Sequence, residues 1–139
     1  MGAVKKLFLI VLCLNSLSCS KCKEDKAFKA EFQNCLEIAD LINGKGYYTD
    51  FITRCNTFEC LIAVSGYRGH VDFDTSFHGS YRSREELDRD LKVWEKWYED
   101  NKYSFTLEKA DSLIWQRATD RMLPDLTWPV RDSVKVFEL

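Results

Sequence analysis

His70, Asp72, Asp74 and His78 are the residues of this chain whose types and spacing come closest to a reactive set. Imidazole and carboxylate are ligands for zinc, and a period of two places all four on one side of an extended strand. Val71, Phe73, Thr75 and Phe77 fill the alternate positions. The same pattern therefore also describes the wet face of an edge strand or loop that packs through its phenylalanines. Neighbours two apart on a strand stand about 7 Å from each other, so two can chelate but four need a bend. The solvated face is the preferred reading, and zinc at His70, Asp72, Asp74 and His78 is the alternative.

Other reactive types stand in weaker settings. Asp111 lies beside an apolar helical stripe, between Leu107 and Trp115 in the four-apart row. It reads either as a buried acid of raised pKa or as a boundary carboxylate paired with Arg117 or Arg121. Cys19-Ser20-Lys21-Cys22 has the gap of a redox or zinc pair, but Lys23 rather than histidine follows, which excludes c-type haem attachment. There is no Gly-x-Ser-x-Gly, no His-Glu-x-x-His and no phosphate-cradling glycine loop. No catalytic residue is assigned, and no motif calls for a resident cofactor.

Four helices must position these residues. Phe28, Phe32, Cys35, Ala39 and Ile42 recur at helical spacing, which predicts a helix from about Asp25 to Asn43, stopped by Asn43-Gly44. A second helix starts after a cap at Thr49 or Asp50, carries Phe51, Cys55, Phe58 and Ile62 on one stripe, and ends at Ser65-Gly66. Ser83-Arg84-Glu85-Glu86 has the form of a capping box and opens a third helix, with Leu87, Leu91, Trp94 and Tyr98 inward. Glu85–Arg89 and Asp88–Lys92 are the expected pairs on its outer face. Thr106 caps a fourth, along which Leu107, Ala110, Ile114, Ala118 and Met122 align. Pro124 and Pro129 bracket an irregular tail, and Val134 to Phe137 forms one short strand or packs as a tail. The expected fold is mainly α: two antiparallel helical hairpins in one small domain, with a short strand or extended loop at 70–78. Trp97, Trp115 and Trp128 are hard to bury together in so small a body, which makes them candidates for an interface.

Ahead of the helices, Lys5 and Lys6 precede an apolar run from Leu7 to Leu14, closed by Ser16-Leu17-Ser18-Cys19. The run is far short of the roughly 18 residues a spanning helix needs, and it has the layout of a secretory signal. Met1-Gly2 does not signal myristoylation, because position 6 is lysine. Ser16-Leu17-Ser18-Cys19 resembles the lipobox of bacterial lipoproteins, in the looser form of Bacteroidota-type lipoproteins. The resemblance implies cleavage before Cys19, acyl chains such as palmitate on Cys19, and attachment to an envelope membrane, with the outer membrane expected. Ser16 stands where the lipobox prefers a large aliphatic residue. Ser16 and Ser18 also suit a plain signal peptidase, so secretion is the alternative location. Residues 1–18 are then the signal, 19–26 a tether and 27–139 the helical domain. The Trp94-x-x-Trp97-Tyr98-x-x-Asn101 run is similar to helix ends in HEAT-like repeat domains of exported bacterial proteins.

Of six cysteines, Cys13 leaves with the signal and Cys19 carries the lipid. The remaining four, Cys22, Cys35, Cys55 and Cys60, form an even set for disulfides in an exported protein. Cys35 and Cys55 fall on facing stripes at similar distances from the turn, which predicts a Cys35–Cys55 bridge. Cys60 pairs with Cys22 or stays a buried thiol. Loss of Lys5 and Lys6 moves the formal net charge from −2 to −4, with signs interleaved. That balance gives no footprint for nucleic acid or for anionic lipid. Four Trp, six Tyr and nine Phe exclude global disorder. The expectation is a lipid-anchored, non-catalytic module that binds a protein or peptide through an aromatic-bearing helical face. The alternative is a metal-binding envelope protein or metal-dependent enzyme using the His70–His78 segment.

Overall fold

The computed structural model describes residues 23–42, 47–73, 79–130 and 134–136. The protein is mainly helical: α1 (Lys26–Ile42), β1 (Tyr47–Thr49), α2 (Phe51–Ser65), α3 (Arg84–Asn101), α4 (Leu107–Asp120) and β2 (Val134–Val136). Each helix starts where a short polar side chain can take free backbone N–H groups. The Asp25 carboxylate accepts from Ala27 N and Phe28 N. Asp50 accepts from Thr53 N, and Thr106 from Lys109 N. Ser83 Oγ accepts from Glu86 N, while Glu86 reaches back to Arg82 N, one residue before the partner a standard capping box would use. Gly66 ends α2 in the left-handed conformation, with its N–H on Ile62 O.

The expected inward residues of α1 and α3 are buried: Phe28, Phe32, Cys35, Ala39 and Ile42 on one, Leu87, Leu91, Trp94 and Tyr98 on the other. Phe28, Phe32, Trp97, Tyr98 and Phe105 form a continuous aromatic cluster, with ring centroids 5.1 to 6.5 Å apart. Helix α2 departs from its expected stripe. Phe58 and Ile62 of that stripe are buried, but Phe51 is exposed and Cys55 half-buried, while Thr57, Glu59, Cys60, Leu61 and Val64, off the stripe, are buried as well. The reason is position: α2 packs against α1, α3 and α4 together. A helix with neighbours on several sides has no single apolar stripe to read. The outer face of α3 also pairs differently, since Arg84 takes both Asp88 and Asp40.

The short strand expected from Val134 to Phe137 is formed over Val134–Val136. This strand, β2, pairs antiparallel with β1, with Tyr47 opposite Val136 and Thr49 opposite Val134. Within 70–78, Val71 and Phe73 point inward as expected, and Asp72 forms an isolated antiparallel bridge with Ser80. Residues 74–78 lie outside the described residues.

The bridge expected between Cys35 and Cys55 is not formed. Cys35, Cys55 and Cys60 are free thiols, and Cys22 lies outside the described residues. Cys35 is fully buried near Cys60, whereas Cys55 faces Glu59, Arg117 and Arg121. Cys60 is buried on another side of α2, and Cys55 lies toward the arginines at the end of α4.

At one end of the domain three elements are tied together. Asp25 Oδ2 accepts from Leu107 N, the first residue of α4, at 3.0 Å. Glu24 accepts from Tyr98 Oη at 2.6 Å and pairs with Lys29 Nζ at 3.0 Å. The Leu107 and Phe28 N–H groups hold the Asp25 carboxyl below the usual aspartate range. Tyr98 and Lys29 do the same for Glu24. The chain is thus locked into the domain by Glu24.

Candidate functional site

Asp90, on the inner side of α3, is 0% exposed. A carboxylate at that depth needs a donor for each lone pair. It has four: Tyr67 Oη at 2.9 Å and His70 Nδ1 at 2.8 Å on Oδ1, then His70 N at 2.6 Å and Tyr81 Oη at 2.9 Å on Oδ2. All but Tyr81 come from the loop after α2, which crosses α3 so closely that a Cβ on Gly69 would stand 2.1 Å from Asp90 Oδ2. Gly69 also has φ +61°, a region that side chains disfavour. Trp94 Nε1 donates to Tyr67 O and holds the same loop one turn further on. Burial, then the Asp90 charge, pushes the Tyr81 hydroxyl far above its ordinary value, so it stays a donor. His70 is fixed by Nδ1 against the carboxylate and by its own N–H, with its ring at the surface.

A second buried carboxylate, Glu59 of α2, meets two arginines of the α4 end. Arg117 Nε hydrogen-bonds Oε2. Arg121 Nε lies 3.2 Å from Oε1, close enough to pair charges without hydrogen-bond geometry. Arg121 also lies over the Phe73 ring, 5.3 Å from its centroid. The tail after α4 is stapled to the helices by single polar contacts: Asn56 Nδ2 to Asp125 O, Cys60 Sγ to Thr127 O, and Asn34 Nδ2 to Pro129 O. Trp128 Nε1 donates to Asp111 Oδ1 at 2.7 Å.

Held this way, the tail and α4 enclose an open groove of about 800 Å³ between Asp111, Trp115, Met122, Leu126 and Trp128. A second concavity of about 810 Å³ lies on the other side of Trp115, bordered by Leu107, Glu108, Ser112 and Gln116. Trp115 is the ridge between them, 72% exposed. Met122, 86% exposed, turns outward at the end of α4 through a left-handed backbone at φ 53°. On the far side of Leu123 and Pro124, exposed Phe51 and Ile52 extend the apolar surface. Phe51, Ile52, Trp115 and Met122, all exposed, thus gather on one side of the domain.

The sequence candidates divide accordingly. Trp115 and Trp128 line the groove, whereas Trp97 is partly buried in the aromatic cluster with Phe28, Phe32 and Phe105. Asp111 is exposed and serves Trp128, since both arginines expected near it go to Glu59. Of the proposed zinc ligands, His70 and Asp72 are described, Asp74 and His78 are not, and the described residues contain no cluster of three or more metal-ligating side chains. Burial raises the thiols of Cys35, Cys55 and Cys60 above their ordinary value. At neutral pH they are packing groups rather than nucleophiles. Cys19 lies outside the described residues, and no described helix is long and apolar enough to cross a membrane.

Sequence reasoning missed Asp90 and Glu59. Asp90 had a signal, because it sits three after Leu87 and four before Trp94, inside the apolar stripe of α3. Glu59 had none, since it stands off the stripe assigned to α2, and only the neighbouring helices cover that side. Comparison with known proteins adds nothing to this geometry: no family model, no curated protein and no solved structure matches the chain.

Proposed function

We propose that this protein is a lipid-anchored envelope lipoprotein whose domain is a non-catalytic module for binding a protein or peptide. The observation that carries the binding reading is the groove along α4, where Trp115 and Met122 are held in water beside the half-buried Trp128. Trp is favoured at the centres of interfaces because it offers a large, stiff apolar area with few rotamers to freeze. Asp111 and the tail backbone supply polar groups at the groove edge. The anchor reading rests on Ser16-Leu17-Ser18-Cys19 behind the apolar run. Acyl chains contribute about 0.8 kcal/mol per buried methylene, so two or three of them hold the protein firmly.

A photo-crosslinking residue at Gln116, activated in the native membrane, is expected to give one discrete polypeptide adduct. Trp115→Ala and Trp128→Ala should each abolish it. An adduct that survives both substitutions, or none at all, refutes the groove as the binding surface. Cys19→Ala is expected to release the protein into the soluble fraction, and unchanged membrane retention refutes lipid attachment there.

One observation favours the metal reading as a second. A metal-bound histidine usually donates its other ring N–H to a carboxylate, which fixes its tautomer and raises its basicity. Asp90 stands behind His70 in that way, directing Nε2 outward. Purified protein is then expected to carry stoichiometric zinc that His70→Ala and His78→Ala both remove. Metal-free protein, or zinc retained in both variants, refutes it.

A further inference from the structure

The end of the domain where the chain enters has a surface of its own. Lys23 and Lys26 are exposed at the start of α1, and Asp25 ties that start to Leu107. The last turn of α3 and the 102–106 turn complete the same end, through Glu24 with Tyr98 and the stacking of Phe28 on Phe105. Tyr103 projects from the turn, 57% exposed, with Lys102 Nζ 5.4 Å from its ring centroid. Lys109 Nζ lies 4.4 Å above the Phe105 ring.

The acidic residues here are largely engaged. Glu24 is bonded by Tyr98 and Lys29, Asp25 by three backbone N–H groups, and Glu99 by Lys102. Asp100 is paired with Lys96, and Lys23, Lys26 and Lys109 then face outward against Glu108 and the charge that Asp25 keeps. A chain that is acidic as a whole thus carries, at the point where the backbone leaves, three outward lysines against two carboxylates, around one exposed tyrosine.

We propose that this end seats on the bilayer, with Tyr103 in the headgroup layer and Lys23, Lys26 and Lys109 against phosphates of anionic phospholipid. The inference rests on the anchor reading. Lys23 is four residue steps from Cys19, so the fully extended reach between them is about 14 Å. An acylated Cys19 therefore brings this end, and no other, to the membrane surface. Tyrosine suits that layer because its ring is apolar and its hydroxyl wet. Each lysine near an anionic surface adds attraction, which salt screens. Seated so, α4 leads away from the lipid. At 1.5 Å per residue, Trp115 stands about 12 Å beyond Leu107 along the helix, and its end at Asp120 about 20 Å. The anchor then presents the groove to partners rather than to lipid.

The test uses the full protein extracted from its native membrane. It is placed in vesicles of zwitterionic phosphatidylethanolamine with one quarter anionic phosphatidylglycerol, or kept in detergent. Lysines are labelled with an amine-reactive reagent and read by mass spectrometry, and the N-terminal peptide is weighed in the same digest. Expected is an acylated Cys19, with labelling of Lys23, Lys26 and Lys109 slowed about fivefold or more in vesicles and Lys92 of α3 unchanged. Molar salt should shrink the effect, and Tyr103→Ser with Lys109→Glu should abolish it at Lys23 and Lys26 while the thermal midpoint holds. Acylated Cys19 with even labelling overturns the seating and leaves the anchor standing. An unacylated N-terminal peptide overturns both.

Discussion

Asp90→Ala is expected to lower the stability of the domain by about 3–5 kcal/mol, the cost of breaking a buried charged network from one side. The substitution strips four hydrogen bonds at once. It leaves the Tyr67 and Tyr81 hydroxyls and the His70 N–H facing a void, and each unpaired buried donor carries its own desolvation penalty of about 1–3 kcal/mol. The loss is not the sum of these, because His70 and Tyr67 are near solvent and the loop can peel away to find water. That relaxation is itself a signature. Urea titration followed by circular dichroism should show the lowered midpoint. Hydrogen exchange should show residues 66–71 losing protection while α1 keeps it. Asp88→Ala, on the exposed side of the same helix and paired only at the surface with Arg84, should shift the midpoint by no more than about 0.5 kcal/mol. A shift below about 1 kcal/mol for Asp90→Ala would mean the carboxylate is not what fastens the loop.

The contrast between Asp90 and Asp88 shows what the sequence made legible. Helix existence, starts and stops came through, because caps such as Asp50, Ser83 and Thr106 act on backbone groups a few residues away. The inward faces of α1 and α3 came through as well, since each of those helices has one dominant apolar stripe. Helix α2 did not. Its burial depends on α1, α3 and α4 surrounding it, and nothing local to 51–65 encodes that. Cys55, the half-buried member of the expected stripe, took the Cys35–Cys55 bridge with it. Of the groove, the three tryptophans were legible as too many to bury, but not which of them stays out. That choice is made by the tail, whose staples from Asn34, Asn56, Cys60 and Asp111 join residues 17 to 95 positions apart. Long-range polar contacts of this kind leave no periodicity to read.

The ion pair beneath the groove gives the second large effect. Arg117→Ala is expected to cost about 3–5 kcal/mol, because Glu59, 1% exposed, is left charged in the interior with one poorly aligned partner. Arg121 cannot take over without leaving Phe73. Glu59→Leu combined with Arg117→Met removes both buried charges and restores apolar volume, so it should return to within about 1 kcal/mol of the parent. The two effects are then far from additive, and that coupling, measured by denaturant midpoints in a double-mutant cycle, identifies the pair rather than helix packing as the cause. Equal, additive losses would place the cost in packing alone. The same pair of variants separates stability from function. Because Glu59 and Arg117 hold α4 against α2 from beneath, the double variant keeps Trp115 and Met122 in place with neither of those two charges under them. Crosslinking from Gln116 should therefore survive in the double variant and fail in Arg117→Ala under conditions where α4 has loosened. A partner that binds through the apolar ridge needs the helix held, not the ions that hold it.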